Sequence, residues 1–179
     1  MYTNLGIILR IRYICVMSRS FRIGNGYDVH ALKEGLPMWL CGIQIESPFG
    51  FVAHSDGDVA IHALCDALLG AAALGDIGKH FPDTDDRWKG VDSKKLLSAV
   101  VDMLLERHYG IENVDVTIAL QAPKLRPRID EMRQTLAVVM GIDVGRVSVK
   151  ATTTERLGFV GREEGCEVWA AALISTDNE

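Results

Sequence analysis

The segment spanning residues 58–73 constrains the fold most strongly, because it has two distinct faces at helical spacing. Its apolar positions recur every three or four residues and predict one buried helix face: Ile61, Leu64, Cys65, Leu68, Leu69 and Ala72. Asp58, His62 and Asp66 recur every fourth residue and lie on a different, polar side. Packing does not require an imidazole between two carboxylates. The pattern therefore indicates a buried helix that also carries functional side chains.

Candidate partners for His62 lie in the earlier tripeptide Asp28-Val29-His30. If this tripeptide is extended, Asp28 and His30 lie on the same face of a strand. Two imidazole nitrogens and one carboxylate oxygen suit zinc, and three protein ligands leave a fourth position open, as in catalytic sites. Such a tripeptide also arises by chance, and His62 can be a hydrogen-bonded histidine on a helix face. From these residues alone, both interpretations remain open.

The remaining periodicity predicts strands interleaved with helices. Strands are expected at residues 21–30, 37–45, 114–120, 147–154 and 167–175, with a turn-rich connection at 47–53. Helices are expected at residues 58–73, capped by Asp56 or Ser55, at 93–107, capped by Asp92, and from Pro127 to about Met140. This order favours an α/β (α+β) fold, a single domain in which a mixed β-sheet is packed on one side by helices.

Charge and cysteine content restrict the function classes. The formal net charge is −5, so the chain lacks the basic face of a nucleic-acid-binding protein. Cys15, Cys41, Cys65 and Cys166 are scattered without a C-x-x-C pair, which indicates reduced thiols in a cytoplasmic protein, with Cys65 in the core.

The first twenty residues do not have the pattern of a secretory signal peptide or of a membrane span. Residues 5–17 are apolar but are interrupted by Arg10 and Arg12, lack a small-residue cleavage site, and are too short to span a membrane. We expect residues 1–20 to be an extension that is disordered or not native, and residues 21–179 to form the domain.

Two further segments carry candidate ligand-binding groups. Residues 150–155, Lys-Ala-Thr-Thr-Thr-Glu, place three hydroxyls and a carboxylate at a strand end, where they suit phosphate and Mg²⁺ or Mn²⁺. A threonine-rich strand end chosen for β propensity has the same sequence. Residues 75–85 form a loop with two glycines and several carboxylates, which can accept hydrogen bonds from ligand hydroxyls.

Taken together, these segments resemble the 2-C-methyl-D-erythritol 2,4-cyclodiphosphate synthase family of the non-mevalonate isoprenoid pathway. The matching stretches run in family order and cover nearly everything after residue 21: residues 22–30, 53–85, 115–124 and 150–162. The resemblance implies an enzyme, a phosphorus-oxygen lyase. The expected reaction is conversion of 4-diphosphocytidyl-2-C-methyl-D-erythritol 2-phosphate to the 2,4-cyclodiphosphate by attack of the 2-phosphate on the β-phosphate, with release of CMP.

The resemblance also implies roles for single residues. It assigns one zinc ion per subunit to Asp28, His30 and His62, and a magnesium or manganese ion that bridges the substrate diphosphate to Glu155. His54 and Thr153 are the candidates for stabilising transition-state charge. Substrate contacts are assigned to Ser55, Asp76, Ile77, Gly78, Phe81, Pro82, Asp83, Thr84, Asp85, Leu120, Ala122, Pro123, Lys124, Leu125, Arg126, Thr152, Thr153, Thr154, Phe159 and Arg162.

A homotrimer is the assembly that the resemblance implies, with the sheets forming its core and active sites between neighbouring subunits. Residues 120–126 and 152–155 would come from the neighbouring subunit and wrap the cytidine diphosphate. Phe159, Arg162 and a glutamate would bind an isoprenoid diphosphate on the trimer axis, although the segment from Arg162 to Glu167 is shorter than is usual in the family. No membrane partner is expected.

Two other readings of the same residues remain. The first is a zinc-dependent phosphohydrolase that activates water, with Asp58 or Asp66 as its base. The second is a trimeric module that binds metal or isoprenoid diphosphate without turnover. The products separate the two enzymes, because hydrolysis incorporates solvent oxygen and cyclisation does not.

Overall fold

The computed structural model describes residues 19–177 of the chain. Its strands are β1 (Arg19–Glu34), β2 (Met38–Leu40), β3 (Ile43–Ile45), β4 (Phe49–Phe51), β5 (Gly110–Ala119), β6 (Val147–Thr152) and β7 (Gly165–Asp177). Its helices are α1 (Val59–Ala71), α2 (Ile77–His80), α3 (Ser93–Leu105), α4 (Ile129–Met140) and α5 (Gly158–Gly161). No helix in this part of the chain is long and apolar enough to cross a membrane.

Five strands form one mixed sheet in the order β4-β1-β7-β5-β6. Only the β5–β6 pair is parallel, and the other neighbours are antiparallel. Strands β2 and β3 form a separate two-stranded hairpin. The predicted fold class, a mixed sheet in an α+β domain, is confirmed.

Alternation along the strands gives the sheet one buried and one open face. On β7, Val168, Ala170, Ala172 and Ile174 are buried against the helices. The alternate positions of β1 and β7 point to the opposite face. Large apolar side chains remain exposed there, four on β1 and one on β7: Phe21 (57%), Ile23 (77%), Tyr27 (48%), Val29 (44%) and Trp169 (45%). The helices therefore cover one side of the sheet, and the open side presents an apolar surface within this single chain.

Helix α1 lies directly on the backbone of β1, and two glycines permit this approach. A Cβ at Gly24 would lie 2.0 Å from the Ala67 carbonyl oxygen, and one at Gly26 would lie 2.0 Å from the Ala63 carbonyl oxygen. The alanines on this side of α1 keep its surface flat enough for contact. The helix is buried on nearly all sides, and in its first two turns only His62 and Asp66 are partly open. The predicted apolar stripe is confirmed, including Cys65 in the core.

The prediction of a single strand at residues 37–45 is wrong. Cys41 and Gly42 have positive φ angles of 53° and 79°, which turn the chain between β2 and β3. The Asp58 carboxylate holds this turn, because Oδ1 accepts from the Cys41 N–H (2.9 Å) and Oδ2 from the Gly42 N–H (2.6 Å). Asp58 Oδ1 also accepts from the Ile61 N–H and caps α1. The cap is therefore Asp58 and not the predicted Asp56 or Ser55.

Smaller differences occur at other boundaries. The turn-rich connection contains β4, the loop at 75–85 contains the short helix α2, and the strand predicted to reach residue 154 ends at Thr152. Pro127 lies in a 3₁₀ turn before α4 rather than in α4 itself. The Asp92 cap of α3 is confirmed. Of the predicted extension, residues 1–18, including Cys15, lie outside the described residues, whereas Arg19 and Ser20 belong to β1.

Candidate metal centre and active site

Three potential metal ligands converge where β1 meets α1. Asp28 and His30 lie on the same face of β1, and His62 lies one turn into α1. Asp28 Oδ2 is 3.1 Å from His30 Nε2 and 3.2 Å from His62 Nδ1. The three donor atoms all lie within 4.8 Å of one another. Strand alternation and the close β1–α1 contact therefore bring together residues that are 34 positions apart in the chain.

The charges in this cluster favour an ionised aspartate. Burial opposes ionisation of Asp28, but the hydrogen bonds with His30 and His62 outweigh it and hold the pKa of Asp28 well below its usual range. Burial also opposes a charge on His30, yet the hydrogen bond and the charge of Asp28 raise the pKa of that imidazole. Since a metal-bound histidine must be neutral, a metal ion at this cluster would compete with the proton that Asp28 favours on His30.

The outer nitrogen of His30 is fixed by the backbone. His30 Nδ1 lies 3.1 Å from the Gly57 carbonyl oxygen, which only accepts hydrogen bonds, so Nδ1 carries the proton. Nε2 is then the ring nitrogen that faces Asp28, and it is the one whose lone pair is available to a metal ion. A backbone carbonyl behind a ligating histidine is a usual outer partner in metal sites.

The donor set fits zinc. Two ligand atoms bound at about 2.0–2.1 Å to a tetrahedral ion lie about 3.3 Å apart, close to the separations between Asp28 and the two imidazoles. Mixed nitrogen and oxygen ligands suit zinc better than magnesium, which prefers oxygen ligands and retains waters. Three protein ligands beside an open cleft also leave room for a further ligand.

A cleft of about 410 Å³ opens beside these three residues. Ten of the predicted site residues line it: Asp28, His30, His54, Ser55, His62, Ile77, Gly78, Phe81, Pro82 and Asp83. Asp76, Thr84 and Asp85 do not line it. Asp76 instead caps α2 by accepting from the Lys79 N–H (2.9 Å), and Asp85 pairs with Arg87 in the following turn.

A second cleft, of about 490 Å³, contains the other main group of predicted site residues. Those that line it are Leu120, Pro123, Lys124, Leu125, Arg126, Thr152 and Thr153. Ala122 precedes Pro123 through a cis peptide bond. The two clefts share no lining residue, so this single chain does not bring the two groups of predicted residues together.

Glu155 and its neighbours form an exposed turn after β6. Thr153 Oγ1 donates to Glu155 Oε1 (2.8 Å), and Thr154 Oγ1 donates to the Leu157 carbonyl oxygen (2.6 Å). Glu155 has a positive φ of 52°. The hydroxyl of Thr153 thus orients the carboxylate that the sequence predicts as a ligand of the second metal.

Phe159 and Arg162 lie in and directly after the short helix α5 and line neither cleft. The Phe159 ring packs against Gly165, where a Cβ would lie 3.1 Å from ring atom Cδ2. The Arg162 guanidinium forms two hydrogen bonds with the Glu164 carboxylate, at 3.0 and 2.9 Å.

Four residues that line the first cleft had no predicted role: Ala53, Trp88, Val91 and Leu96. Asp66 also lines it and was predicted only as a candidate base of the alternative phosphohydrolase. Asp66 had a signal in the sequence, since it follows His62 by one helical turn on the polar side of α1. Its Oδ1 accepts from the Ile77 N–H (2.7 Å) and connects α2 to α1. Trp88 contacts Phe81 edge to face, with ring centroids 5.0 Å apart, and its placement depends on a turn that the sequence pattern does not predict.

Comparison with known proteins identifies the family. The model of the YgbB family matches residues 21–175. A 2-C-methyl-D-erythritol 2,4-cyclodiphosphate synthase from Thioalkalivibrio sulfidiphilus is 60% identical over 157 residues, which cover 88% of this chain and 98% of that protein. The chain belongs to this synthase family.

Solved structures of the family have the same fold. The bifunctional IspDF from Campylobacter jejuni has a TM-score of 0.86 and 43% identity, over 90% of this chain and 44% of that one. IspF from Plasmodium falciparum, in complex with CDP, has a TM-score of 0.79 and 32% identity, over 89% of this chain and 98% of that one. The overall match therefore includes a protein whose structure contains a cytidine diphosphate.

Proposed function

We propose that this chain converts 4-diphosphocytidyl-2-C-methyl-D-erythritol 2-phosphate to 2-C-methyl-D-erythritol 2,4-cyclodiphosphate and CMP. The observation that carries the proposal is the convergence of Asp28, His30 and His62 beside a cleft, in a chain 60% identical to a synthase of that name. A 2-phosphate oxygen attacks the β-phosphorus, and the bond from that phosphorus to the bridging oxygen breaks. CMP leaves with the bonding electron pair. No water is consumed, so the enzyme is a phosphorus-oxygen lyase.

Asp28 Oδ2, His30 Nε2 and His62 Nδ1 would hold one zinc ion, and Glu155 would hold a magnesium or manganese ion. When bound, these ions supply positive charge that neutralises the substrate phosphates. The protein carries a net charge of −5, so such local positive charge is needed for an anionic substrate.

The side chains of the cleft position the phosphates. Ser55 Oγ accepts from the Gly57 N–H (3.2 Å) and lies 3.1 Å from His62 Nε2. With the proton on Nε2, Ser55 Oγ accepts there too, and its own hydroxyl hydrogen can donate to a phosphate oxygen. His54 is exposed at the cleft and is proposed, with Thr153, to stabilise the charge of the transition state. Because the nucleophile belongs to the substrate, positioning both phosphate ends is the main task of the protein.

The ribose and methylerythritol ends are assigned to the loop after α1. Ile77 and Gly78 line the cleft, and Asp76 caps the same short helix. We propose that these three residues contact the ribose. Phe81 to Asp85 follow directly and are proposed to enclose the methylerythritol end.

We propose that the working enzyme is a cytoplasmic homotrimer. Two features support the trimer: the exposed apolar face of the sheet, and the separation of the predicted site residues into two clefts on one chain. The face around Phe21, Ile23 and Trp169 would form the trimer core. The cleft at residues 120–126, with Thr152 to Glu155, would complete the metal cleft of the neighbouring subunit. Phe159 and Arg162 remain candidates for an isoprenoid diphosphate on the trimer axis.

No comparison supports the alternative of a zinc-dependent phosphohydrolase. Its candidate base Asp58 is fully buried, and its two oxygens accept three backbone N–H groups. The Asp58 carboxylate therefore has a structural role and is not available to activate water. Asp66 lines the cleft, but one of its oxygens holds α2.

Product analysis in ¹⁸O-water tests the proposal. Metal-replete protein is incubated with the substrate named above, and the products are identified by mass spectrometry. We expect CMP and an unlabelled cyclic diphosphate. CMP together with a labelled open-chain diphosphate would instead establish a hydrolase and overturn the cyclisation.

A further inference from the structure

Behind His62 lies a chain of hydrogen bonds that no assigned role explains. Ser93, the first residue of α3, is completely buried (0% exposed) although its side chain is polar. Its Oγ lies 3.0 Å from His62 Nε2, the ring nitrogen opposite the one that faces Asp28. A buried hydroxyl in contact with a candidate metal ligand needs a physical reason, because a desolvated polar group is costly unless its hydrogen bonds are used.

The direction of these hydrogen bonds follows from Asp56. Its carboxylate accepts from the Ser93 backbone N–H (2.8 Å), from the Asp58 N–H (3.1 Å) and from the Ser93 hydroxyl. A carboxylate only accepts, so the single hydrogen of the Ser93 hydroxyl points to Asp56. Ser93 Oγ can then only accept from His62, which places a proton on Nε2.

This proton placement has a direct consequence for the metal centre. Asp28 Oδ2, which only accepts, lies 3.2 Å from Nδ1, so without a metal ion Nδ1 can also carry a proton. A metal ion at Nδ1 would replace that proton, while the Nε2–H remains with Ser93. Ser55 Oγ also lies 3.1 Å from Nε2 and can share the same N–H. Ser55 alone does not determine which ring nitrogen of His62 is protonated, because its hydroxyl donates to no carboxylate and can either donate to Nε2 or accept from it.

We propose that Asp56 and Ser93 act as positioning residues that fix the tautomer and ring orientation of His62 for metal binding. The proton chain runs from the His62 Nε2–H to Ser93 Oγ, and from the Ser93 hydroxyl to the Asp56 carboxylate. It connects the metal centre to the start of α3, an element that supplies no proposed metal ligand. The inference rests on the proposed zinc site but not on the proposed reaction.

The test measures zinc affinity and the His62 tautomer, not turnover. In Ser93→Ala the acceptor for Nε2–H is lost, and we expect the dissociation constant for zinc, from chelator competition, to rise by about 10–100-fold. In ¹⁵N-histidine-labelled protein stripped of metal, at mildly alkaline pH, the wild-type His62 ring is expected to show a protonated Nε2, because Ser93 Oγ can only accept from it. Ser93→Ala is expected to show a mixture of the two tautomers.

Asp56→Asn gives a second, independent perturbation if Ser93→Ala folds poorly. An amide NH₂ can donate to Ser93 Oγ, which lets the Ser93 hydroxyl donate to His62 Nε2 and moves the imidazole proton to Nδ1. We expect weaker zinc binding and a reversed pair of ¹⁵N resonances. Ser98→Ala, at an exposed position of the same helix, is the matched control and should bind zinc like the wild type.

The outcomes separate this inference from the proposed function. Wild-type zinc affinity and an unchanged His62 tautomer in both Ser93→Ala and Asp56→Asn would overturn the positioning role and leave the zinc site standing. A wild-type protein that binds no zinc would overturn both.

Discussion

Asp28 lies between two imidazoles, and each imidazole presents a different nitrogen to it. His30 uses Nε2 because its Nδ1–H donates to the Gly57 carbonyl oxygen, and His62 uses Nδ1. Such outer hydrogen bonds orient ligands before a metal arrives and reduce the entropic cost of binding. At the scale of single residues, metal affinity should therefore depend on the orientation of both rings.

His62→Ala is expected to abolish stoichiometric zinc binding and to reduce turnover by more than about 100-fold, since losing a ligand costs more than losing an outer partner. The fold should persist, because His62 is partly open and its removal leaves the apolar contacts of α1 intact. Metal analysis, circular dichroism and product formation provide the measurements. His108→Asn, at an exposed histidine that lines neither cleft, is the control. Full zinc content in His62→Ala would remove His62 from the ligand set.

At the scale of elements, the metal centre depends on how closely α1 approaches β1. Gly26 lies between Ala63 and Ala67 of α1, and the same strand places Asp28 two residues later. The distance between Asp28 and His62 is therefore set by backbone contact rather than by side-chain packing. Any atom inserted between the two elements must separate the ligands.

Gly26→Ala is expected to destabilise the protein by about 3 kcal/mol and to weaken zinc binding at the same time. The new Cβ would lie 2.0 Å from a carbonyl oxygen, so α1 must move away from β1. Gly70→Ala, in α1, is the matched control, because its Cβ would lie 3.8 Å from the nearest atom outside the helix. Urea unfolding and zinc titration check both variants. If Gly26→Ala had the stability and zinc affinity of the wild type, the close-contact account would be wrong.

The Asp58 carboxylate connects the β2–β3 turn to the start of α1, and the Asp58 backbone N–H donates to Asp56. Asp58→Asn replaces one acceptor oxygen by an NH₂ group that faces backbone N–H donors. We expect a loss of about 2–4 kcal/mol in the free energy of unfolding, because buried donors are left unpaired. Asp102→Asn, at an exposed position of α3, should change stability little. Denaturant unfolding measures both variants. If Asp58→Asn lost no more free energy of unfolding than Asp102→Asn, Asp58 would not hold the turn.

The elements that the sequence predicts well are those with local periodicity. Helical spacing predicts His62 and Asp66 on one side of α1, and alternation along the strand predicts Asp28 and His30 on the same face. The turn at Cys41 was not predictable, because a cysteine rarely adopts a positive φ and is held there by Asp58, which is 17 positions away. Ser93 was missed for the same reason, since its contact with His62 spans 31 positions.

At the scale of the whole molecule, the predicted site residues fall into two clefts on one chain. The cleft with Asp28, His30 and His62 shares no lining residue with the cleft that contains Thr152 and Thr153. Periodicity within one chain predicts neither this division nor the partner that would close it. The division and the exposed apolar face of the sheet are both explained if neighbouring copies complete each other's sites.

Mixed trimers of two inactive variants test this central claim most directly. His62→Ala removes a proposed zinc ligand, and Glu155→Gln removes the proposed magnesium ligand in the turn after β6, where Glu155 accepts from Thr153 of the second cleft. Neither variant alone should turn over substrate appreciably, and Glu155→Gln should retain its zinc. When the two variants are co-expressed in equal amounts, each site is formed by two neighbouring subunits that are combined at random. About one quarter of the sites should then be intact and restore about one quarter of wild-type turnover. Co-expressed trimers as inactive as the single variants would contradict the account, because each chain would then carry a complete site of its own.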